Sequence, residues 1–382
     1  LALRLAETHE VTVVTRSNNQ EVIESALKER KGLSLTFIYH DLGVGWLGLK
    51  KKKFFPVQLY YTRWLFSLGR RLESEDRLAE FDLVHHLTFN SFEIPPLFLR
   101  KVEALKVWGP IGGGQIAPRE LTSTLSPMDR WKEKLRGWRV TASRWNPSVR
   151  AILSKCDLVL FANEETRDLL QEECGGKTGL MVDVGVDPDQ FQKGGGGGGF
   201  SVLFAGKFEP RKGTRLLLLA FKNALRQEPG LKLRMIGDGP EWAREKQWVA
   251  DQGLEEAVEL VGRCSHAEMA AAFAQADIFV FPSLRDTSGA IVLEAMASEV
   301  PTICLDHQGA RLMVNMDSGI RVPVRSEAET VKAMAESLVS LSGNTTRCRM
   351  MGEKGRARVA QEFDWQCKTA SLLEAYQQLV EG

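Results

Sequence analysis

The stretch LRDTSGAIVLEAMASEVP, residues 284 to 301, holds two acids eight positions apart, Asp286 and Glu294. Glu294 stands among Ala290, Ile291, Val292, Leu293, Ala295, Met296 and Ala297, a run that reads as a helix apolar on nearly every side. A carboxylate there must reach water, find a partner or lose its charge. Thr287, Ser288 and Gly289 fall at the helix start, where free backbone N–H groups and the positive end of the dipole suit an anion. More than a turn further in, Glu294 is placed to accept from both hydroxyls of a ribose, as acidic residues do in dinucleotide folds. A plainer reading stays open on these residues alone: Asp286 as an N-terminal cap and Glu294 reaching the rim along its methylenes.

Three further segments bring polar groups to the ends of strand-like runs. FAGKFEPRKGT (204–214) carries Lys207 and Lys212, two ammonium groups on one loop that suit a diphosphate as point charges. MIGDGPEW (235–242) has Gly237 and Gly239, which either let backbone approach a ligand or simply make a turn. LVGRC (260–264) ends another run with Arg263 near the same edge. Each taken singly is also consistent with a solvated loop; their convergence with the acid pair favours a ligand.

The elements that would position these groups alternate. VTVVT near the start, then LSLTFIY (33–39), DLVHHL (82–87), ALKVWG (104–109), DLVLFAN (157–163) and LMVDVG (180–185) are strand-like and separated by helical stretches. SVLFAG, LKLRMIG, AVELVG, DIFVFPS, VPTICLD and SGIRVPV repeat the rhythm more clearly. Such runs predict parallel strands covered on both faces. The predicted architecture is α/β: two doubly wound, Rossmann-like domains facing each other across a cleft, where ligands bind at the carboxyl ends of the strands. The boundary falls at FQKGGGGGGF, whose six consecutive glycines read as a flexible linker because a strand, not a helix, follows. The expected divisions are a first domain over 1–190, a linker over 191–199, a second domain over 200–358 and a last helix over 359–382 returning to the first domain.

At 382 residues two domains are the natural expectation. A net charge of +1 gives no global field for nucleic acid, which is excluded as the partner. The six cysteines are scattered without metal-ligand spacing, a pattern of reduced thiols in a cytoplasmic protein, and no metal site is read from them. No strand–GxGxxG–helix unit is present, which argues against a dinucleotide dehydrogenase.

In order and spacing, GVDPDQF (185–191), FAGKFEPRKGTRLLLLAF (204–221), IGDGPEW, VELVGR, ADIFVFPSLRDTSGAIVLEAMASEVPTI (276–303) and FDWQ (363–366) resemble the donor domain of the family-4 (group 1) retaining glycosyltransferases. The resemblance spans roughly half the chain and implies the GT-B fold. It implies that Lys207 and Lys212 bind the donor diphosphate and that Glu294 holds the ribose. Asp286 would approach the donor sugar together with the loop amides around Gly289. It also implies that no catalytic metal or other cofactor is needed, the nucleotide diphosphate-sugar being a co-substrate. Three positions depart from the family pattern: Lys207 stands where Arg is usual, Asp286 where Glu is usual, and Thr287-Ser288-Gly289 where Gly-Phe-Gly is usual.

The first half resembles the family less. Its opening looks like the family's first helix and second strand, so the resemblance implies that the first strand and its glycine loop are missing. VWGPIGGGQIAP (107–118) looks like a form found in one subset of these enzymes, with Gly112, Gly113 and Gly114 as candidates to line the acceptor pocket. Many members place a functional His in that strand end; here His85 and His86, from DLVHHLTFNS, become the candidates, with a core role for either as the alternative. The implied acceptor is a glycan or lipid-linked sugar. Segment 46–71 interleaves Lys50–Lys53, Arg70 and Arg71 with Trp46, Phe54, Phe55, Trp64 and Phe66, which suits an anionic membrane surface on the cytoplasmic side. An amphipathic helix packed on the first domain accounts for it equally. Two rivals to a glycosyltransferase remain: a nucleotide-sugar epimerase of the same fold, which needs no acceptor, and a nucleotide-sugar-binding protein without catalysis.

Overall fold

The computed structural model describes residues 1–28, 30, 32–50, 56–87, 89–194 and 200–381. The glycines at 195–199, and Lys51–Lys53, Phe54 and Phe55 of the basic-aromatic segment, lie outside the described residues.

In the second domain six parallel strands form one sheet in the order β12-β11-β10-β7-β8-β9. The strands are β7 (Ser201–Ala205), β8 (Lys232–Ile236), β9 (Val258–Gly262), β10 (Ile278–Phe281), β11 (Thr302–Leu305) and β12 (Gly319–Val322). All six coincide with the apolar runs of the sequence. They form because the runs are buried on both faces: Val202, Leu203, Phe204, Ile278, Phe279, Val280 and Ile303 are almost inaccessible. Strand order reverses around β7, which pairs with β10 on one side and β8 on the other. The crevice outside the carboxyl ends of β7 and β10 is therefore the expected ligand position.

The first domain holds β1 (Val11–Thr15) paired parallel to β2 (Leu35–Tyr39), and a parallel sheet β3-β4-β5-β6. The latter consists of β3 (Leu83–His86), β4 (Leu105–Ile111), β5 (Leu158–Phe161) and β6 (Lys177–Leu180). The expected strand at 180–185 is a correction: β6 ends where that strand was to begin. Its apolar residues are buried for another reason, because Val182 and Val186 leave the sheet and pack into the second domain's core beside Leu203, Phe279 and Phe363.

Six helices matter for the site. They are α1 (Val57–Ser74), α2 (Pro127–Ser143), α3 (Glu164–Leu170), α4 (Ala290–Ala297), α5 (Gln308–Met313) and α6 (Trp365–Val380). Helix α1 turns Tyr60, Trp64, Leu65, Leu68 and Leu72 into the first domain's core. Helix α6 follows the second domain yet packs on the first: Leu372 sits against Val107, Leu158 and Leu160, and Lys177 Nζ donates to the Gln378 carbonyl at 3.0 Å.

Leu372 is 1% exposed, so Leu372→Ala should lower stability by about 2–5 kcal/mol in urea or thermal unfolding. Glu374→Ala, on the exposed face of α6, should leave it within about 0.5 kcal/mol. Equal effects of the two would show that α6 does not hold the first domain. His85 links the same elements, between Tyr376 of α6 and the Gly109 carbonyl. Burial lowers its pKa to about 4. Because the unfolded chain then takes up its proton first, stability should be full above about pH 6.5 and fall between there and about pH 4. His85→Asn should flatten that slope; unchanged slopes in pH-dependent unfolding would refute it.

Candidate functional site

Two loops of the second domain are tied together at the crevice. After β7, Gly213 adopts φ 67°, a left-handed turn that brings the chain onto the Pro282 carbonyl, where a side chain has no room. The turn sets Lys212 against the loop after β10. Lys212 Nζ donates to the Asp286 carboxylate and lies 5.5 Å from the centroid of the Phe281 ring. Arg211 Nη1 stands 3.6 Å from the same carboxylate, while its Nε donates to Glu209 at 2.8 Å. The Arg211 carbonyl accepts from the Leu284 N–H at 2.8 Å. Lys207 behaves differently: its side chain is 73% exposed, at the rim, with Glu209 3.9 Å away.

The Asp286 N–H donates to Gln308 Oε1 at 2.7 Å, and its carboxylate accepts from the Thr287 N–H at 3.1 Å. Gly289 opens α4 at φ 83°, and any Cβ there would stand 2.6 Å from the Phe281 ring. Helix α4 is enclosed on most sides, with Val292, Leu293, Ala295, Met296 and Ala297 buried. Glu294 is half-buried; burial raises its carboxyl pKa, and His266 pulls weakly the other way. No hydrogen bond or ion pair reaches its carboxylate from the described residues. The acid is thus partly desolvated without a protein partner, as a site prepared for a neutral hydroxyl donor would be.

Gly237 and Arg263 complete this edge. Gly237, at φ 134°, is pressed against the Gly206 carbonyl, which leaves no space for a side chain. Arg263 Nε donates to Asp238 at 2.6 Å, and the side chain is 83% exposed, so it lies at the rim.

Across the crevice, Gly112, Gly113 and Gly114 are buried. A Cβ on Gly112 would meet the Thr287 methyl at 2.5 Å, so this glycine lets the loop after β10 close on the first domain. Gly113 N–H donates to Gln115 Oε1 at 2.8 Å, and Gly114 N–H to Thr166 Oγ1 at 3.1 Å. Neighbours that sequence reasoning passed over hold the loop directly. Gln115 Nε2 donates to Thr287 Oγ1 at 2.9 Å, and Asn163 Nδ2 to the Thr287 carbonyl at 3.2 Å. Asp183 accepts from both Ser288 Oγ and Asn90 Nδ2. Arg285 makes a two-point ion pair with Glu133 of α2, at 2.8 and 3.1 Å. The Gln308 N–H donates to Glu165 of α3 at 2.8 Å. Only Arg211, adjacent to a lysine already singled out, carried a local signal; the rest are single polar residues whose cross-cleft partners lie some ninety or more positions away.

His85 and His86 stand apart from this cluster. Both ring nitrogens of His85 are engaged, by Tyr376 and the Gly109 carbonyl. His86 is buried, 3.2 Å from Tyr61 OH, with its ring edge-on to Phe98. A cavity of about 430 Å3 opens beside the crevice, lined by Leu87, Phe89, Asn90, Asp183, Trp365 and Lys368 among others. Lys368 Nζ donates to the Val182 carbonyl, and burial lowers its pKa to about 8.

Comparison with known proteins matches this geometry to a family. Residues 176–358 match the family model of the glycosyl transferases group 1. The chain is 28% identical over 202 residues to an exopolysaccharide phosphotransferase of Streptomyces coelicolor, covering 52% of this chain and 21% of that protein. It is 27% identical over 252 residues to the GDP-mannose-dependent alpha-(1-6)-phosphatidylinositol monomannoside mannosyltransferase of Mycobacterium tuberculosis, covering 60% and 64%. The chain spans less than two thirds of the length of either relative. Sucrose-phosphate synthase from Thermosynechococcus elongatus superposes with a TM-score of 0.65 at 19% identity, over 99% of this chain and 92% of that one. Residues 176–358 are thus similar to the group 1 glycosyltransferases, and the chain as a whole has the GT-B fold.

Proposed function

We propose that this chain transfers a sugar, with retention, from a nucleotide diphosphate-sugar to a hydroxyl of a glycan or lipid-linked acceptor. The observation that carries the reading is the half-buried Glu294 carboxylate, without a hydrogen-bond or ion-pair partner among the described residues, behind a helix start overlooked by Lys212 and Arg211. A ribose supplies the two hydroxyl donors that Glu294 lacks. The diphosphate falls to Lys212, with Lys207 swinging in from the rim and Arg263 and the Gly237 turn at the base side. Asp286, with the amides of Thr287, Ser288 and Gly289, faces the sugar. The 430 Å3 cavity, mostly apolar with Asn90, Asp183 and Lys368 at its wall, is the acceptor's place; Gly112–Gly114 are not in its lining and act on the acceptor side only through their packing against Thr287 and Thr166.

The positive groups at the diphosphate are positioned to stabilise the leaving group without a metal. Transfer should therefore continue undiminished in excess chelator; its abolition, restored by added magnesium, would overturn that part. Segment 46–71 is a further candidate for a membrane surface. In the described residues this rests on exposed Val57, Leu59 and Phe66, with Arg63 and Arg70 stacked on Phe66 at 5.4 and 5.9 Å.

A thermal-shift screen with UDP-, GDP- and ADP-sugars tests the donor assignment. The correct donor at a hundred times its dissociation constant should add ~2.7 kcal/mol of stability. Glu294→Gln should weaken that donor's binding on the order of tenfold, the value of one charge-assisted hydrogen bond. If every donor binds Glu294→Gln as tightly as wild type, the ribose role is lost. Donor turnover without acceptor would favour an epimerase.

A further inference from the structure

Helix α2 presents an apolar face to solvent that its own sequence would bury. Met128, Trp131, Leu135 and Trp138 are 62%, 60%, 49% and 71% exposed, and Trp145, just beyond the helix, is 59% exposed. Positions 128, 131, 135 and 138 follow the helical repeat, so they form one stripe rather than scattered residues. The opposite face is the one that packs. Val140 is fully buried, Gly137 lies over Ile116, Arg136 donates to the Gly113 carbonyl at 3.3 Å, and Glu133 pairs with Arg285. A stripe of this size diametrically opposite the core contributes nothing to the fold.

We infer that this outer face of α2, continued by Trp145, docks on an anionic lipid surface. Charge decides for a bilayer over other occupants. The helix has five basic residues (Arg130, Lys132, Lys134, Arg136, Arg139) against two acids. Glu133 and Arg136 are on the inner face; at the stripe Asp129 pairs with Lys132, Glu93 with Arg139, Glu172 with Arg144 and Glu173 with Arg150, so the six cations there (Arg130, Lys132, Lys134, Arg139, Arg144 and Arg150) outnumber these four acids by two. Lys132 and Arg139 flank the stripe on one side, Lys134 and Arg130 on the other. Arg144 and Arg150 stack on Trp145 at 4.7 and 5.7 Å. Exposed Trp between basic flanks is the pattern of a helix lying in the headgroup layer. A second copy docked by the same stripe would set these cations against each other, and a neutral glycan would draw nothing from them. The inner face of α2 meets the cleft through Arg285 and Gly113, so the bilayer would run beside the cleft mouth. The docking surface stands without the transferase reading; only its use in delivering a lipid-linked acceptor rests on that reading.

The test is sedimentation with phosphatidylcholine vesicles, with and without one-third phosphatidylglycerol, read together with Trp emission. Wild type should pellet with the anionic vesicles at low salt, with blue-shifted emission, and release as salt rises. Trp131→Ser/Trp138→Ser should lose on the order of tenfold in partitioning, and Lys134→Glu roughly fivefold. An unchanged unfolding midpoint must accompany both variants, since all three side chains are exposed. Met316→Ser, an exposed side chain of the second domain, should partition as wild type, and Phe66→Ser reports separately on segment 46–71. The inference is overturned if wild type fails to pellet, if the double Trp variant binds equally, or if Phe66→Ser alone abolishes binding. It is also overturned if the Trp emission shifts only with soluble glycan, or only with self-association. Loss of vesicle binding with intact transfer to a soluble acceptor separates this surface from the active site.

Discussion

The Asp286 carboxylate, held by Lys212 and flanked by Arg211, is the contact on which the arrangement of the cleft depends. It ties the loop after β10 to the loop after β7, and those loops leave adjacent strands at the point where sheet order reverses. With Asp286 anchored, Thr287 and Ser288 project toward the first domain, and Gly289 turns the chain into α4 over Phe281. The hydrogen bonds that Gln115 and Asn163 donate to this loop, and the one Asp183 accepts from it, all presuppose that anchor. In the proposed reading a donor diphosphate would share Lys212 with Asp286, which would couple donor binding to loop position through one ammonium group. A shorter acid than the usual Glu keeps that pair close to the backbone.

Gln308 shows how firmly the loop is held from behind. It sits at φ 55°, a conformation that costs a non-glycine residue about 1–3 kcal/mol. Four hydrogen bonds offset that cost: to Glu165, to the Ile116 and Leu284 carbonyls, and from the Asp286 N–H. The residue therefore reads both domains at once, and its side chain has the right length for little else.

Much of the second domain was legible in the sequence because its strands are buried on both faces and so appear as unbroken apolar runs. The Asp286 and Glu294 pair was legible because a helix otherwise without polar residues makes a single carboxylate conspicuous. The strand misplaced at 180–185 shows the limit of that signal. Val182 and Val186 are apolar because they cross into the other domain's core, and burial alone does not tell a sheet from a crossing. The cross-cleft network was not legible at all. Gln115, Asn163, Asp183 and Gln308 are isolated polar residues, and only the folded chain brings each to its partner. Likewise His85 and His86 look alike in sequence, while one bridges the first sheet to α6 and the other packs among aromatic rings. The stripe on α2 has a helical period that sequence alone assigns to a core, and only the packing shows which face is turned outward.

The chain passes between domains near Val182–Val186 and again near Phe363–Trp365, and these two passages are bound to each other. Val186 N–H donates to the Phe363 carbonyl at 3.1 Å, and Lys368 holds the Val182 carbonyl. Two parallel straps fastened side by side resist shear and separation but permit rotation about the line they share. Asp183, on the first of these straps, also accepts from Ser288, so the loop that carries Asp286 is fastened to the crossing itself. Any turning of one domain against the other is therefore passed directly to that loop.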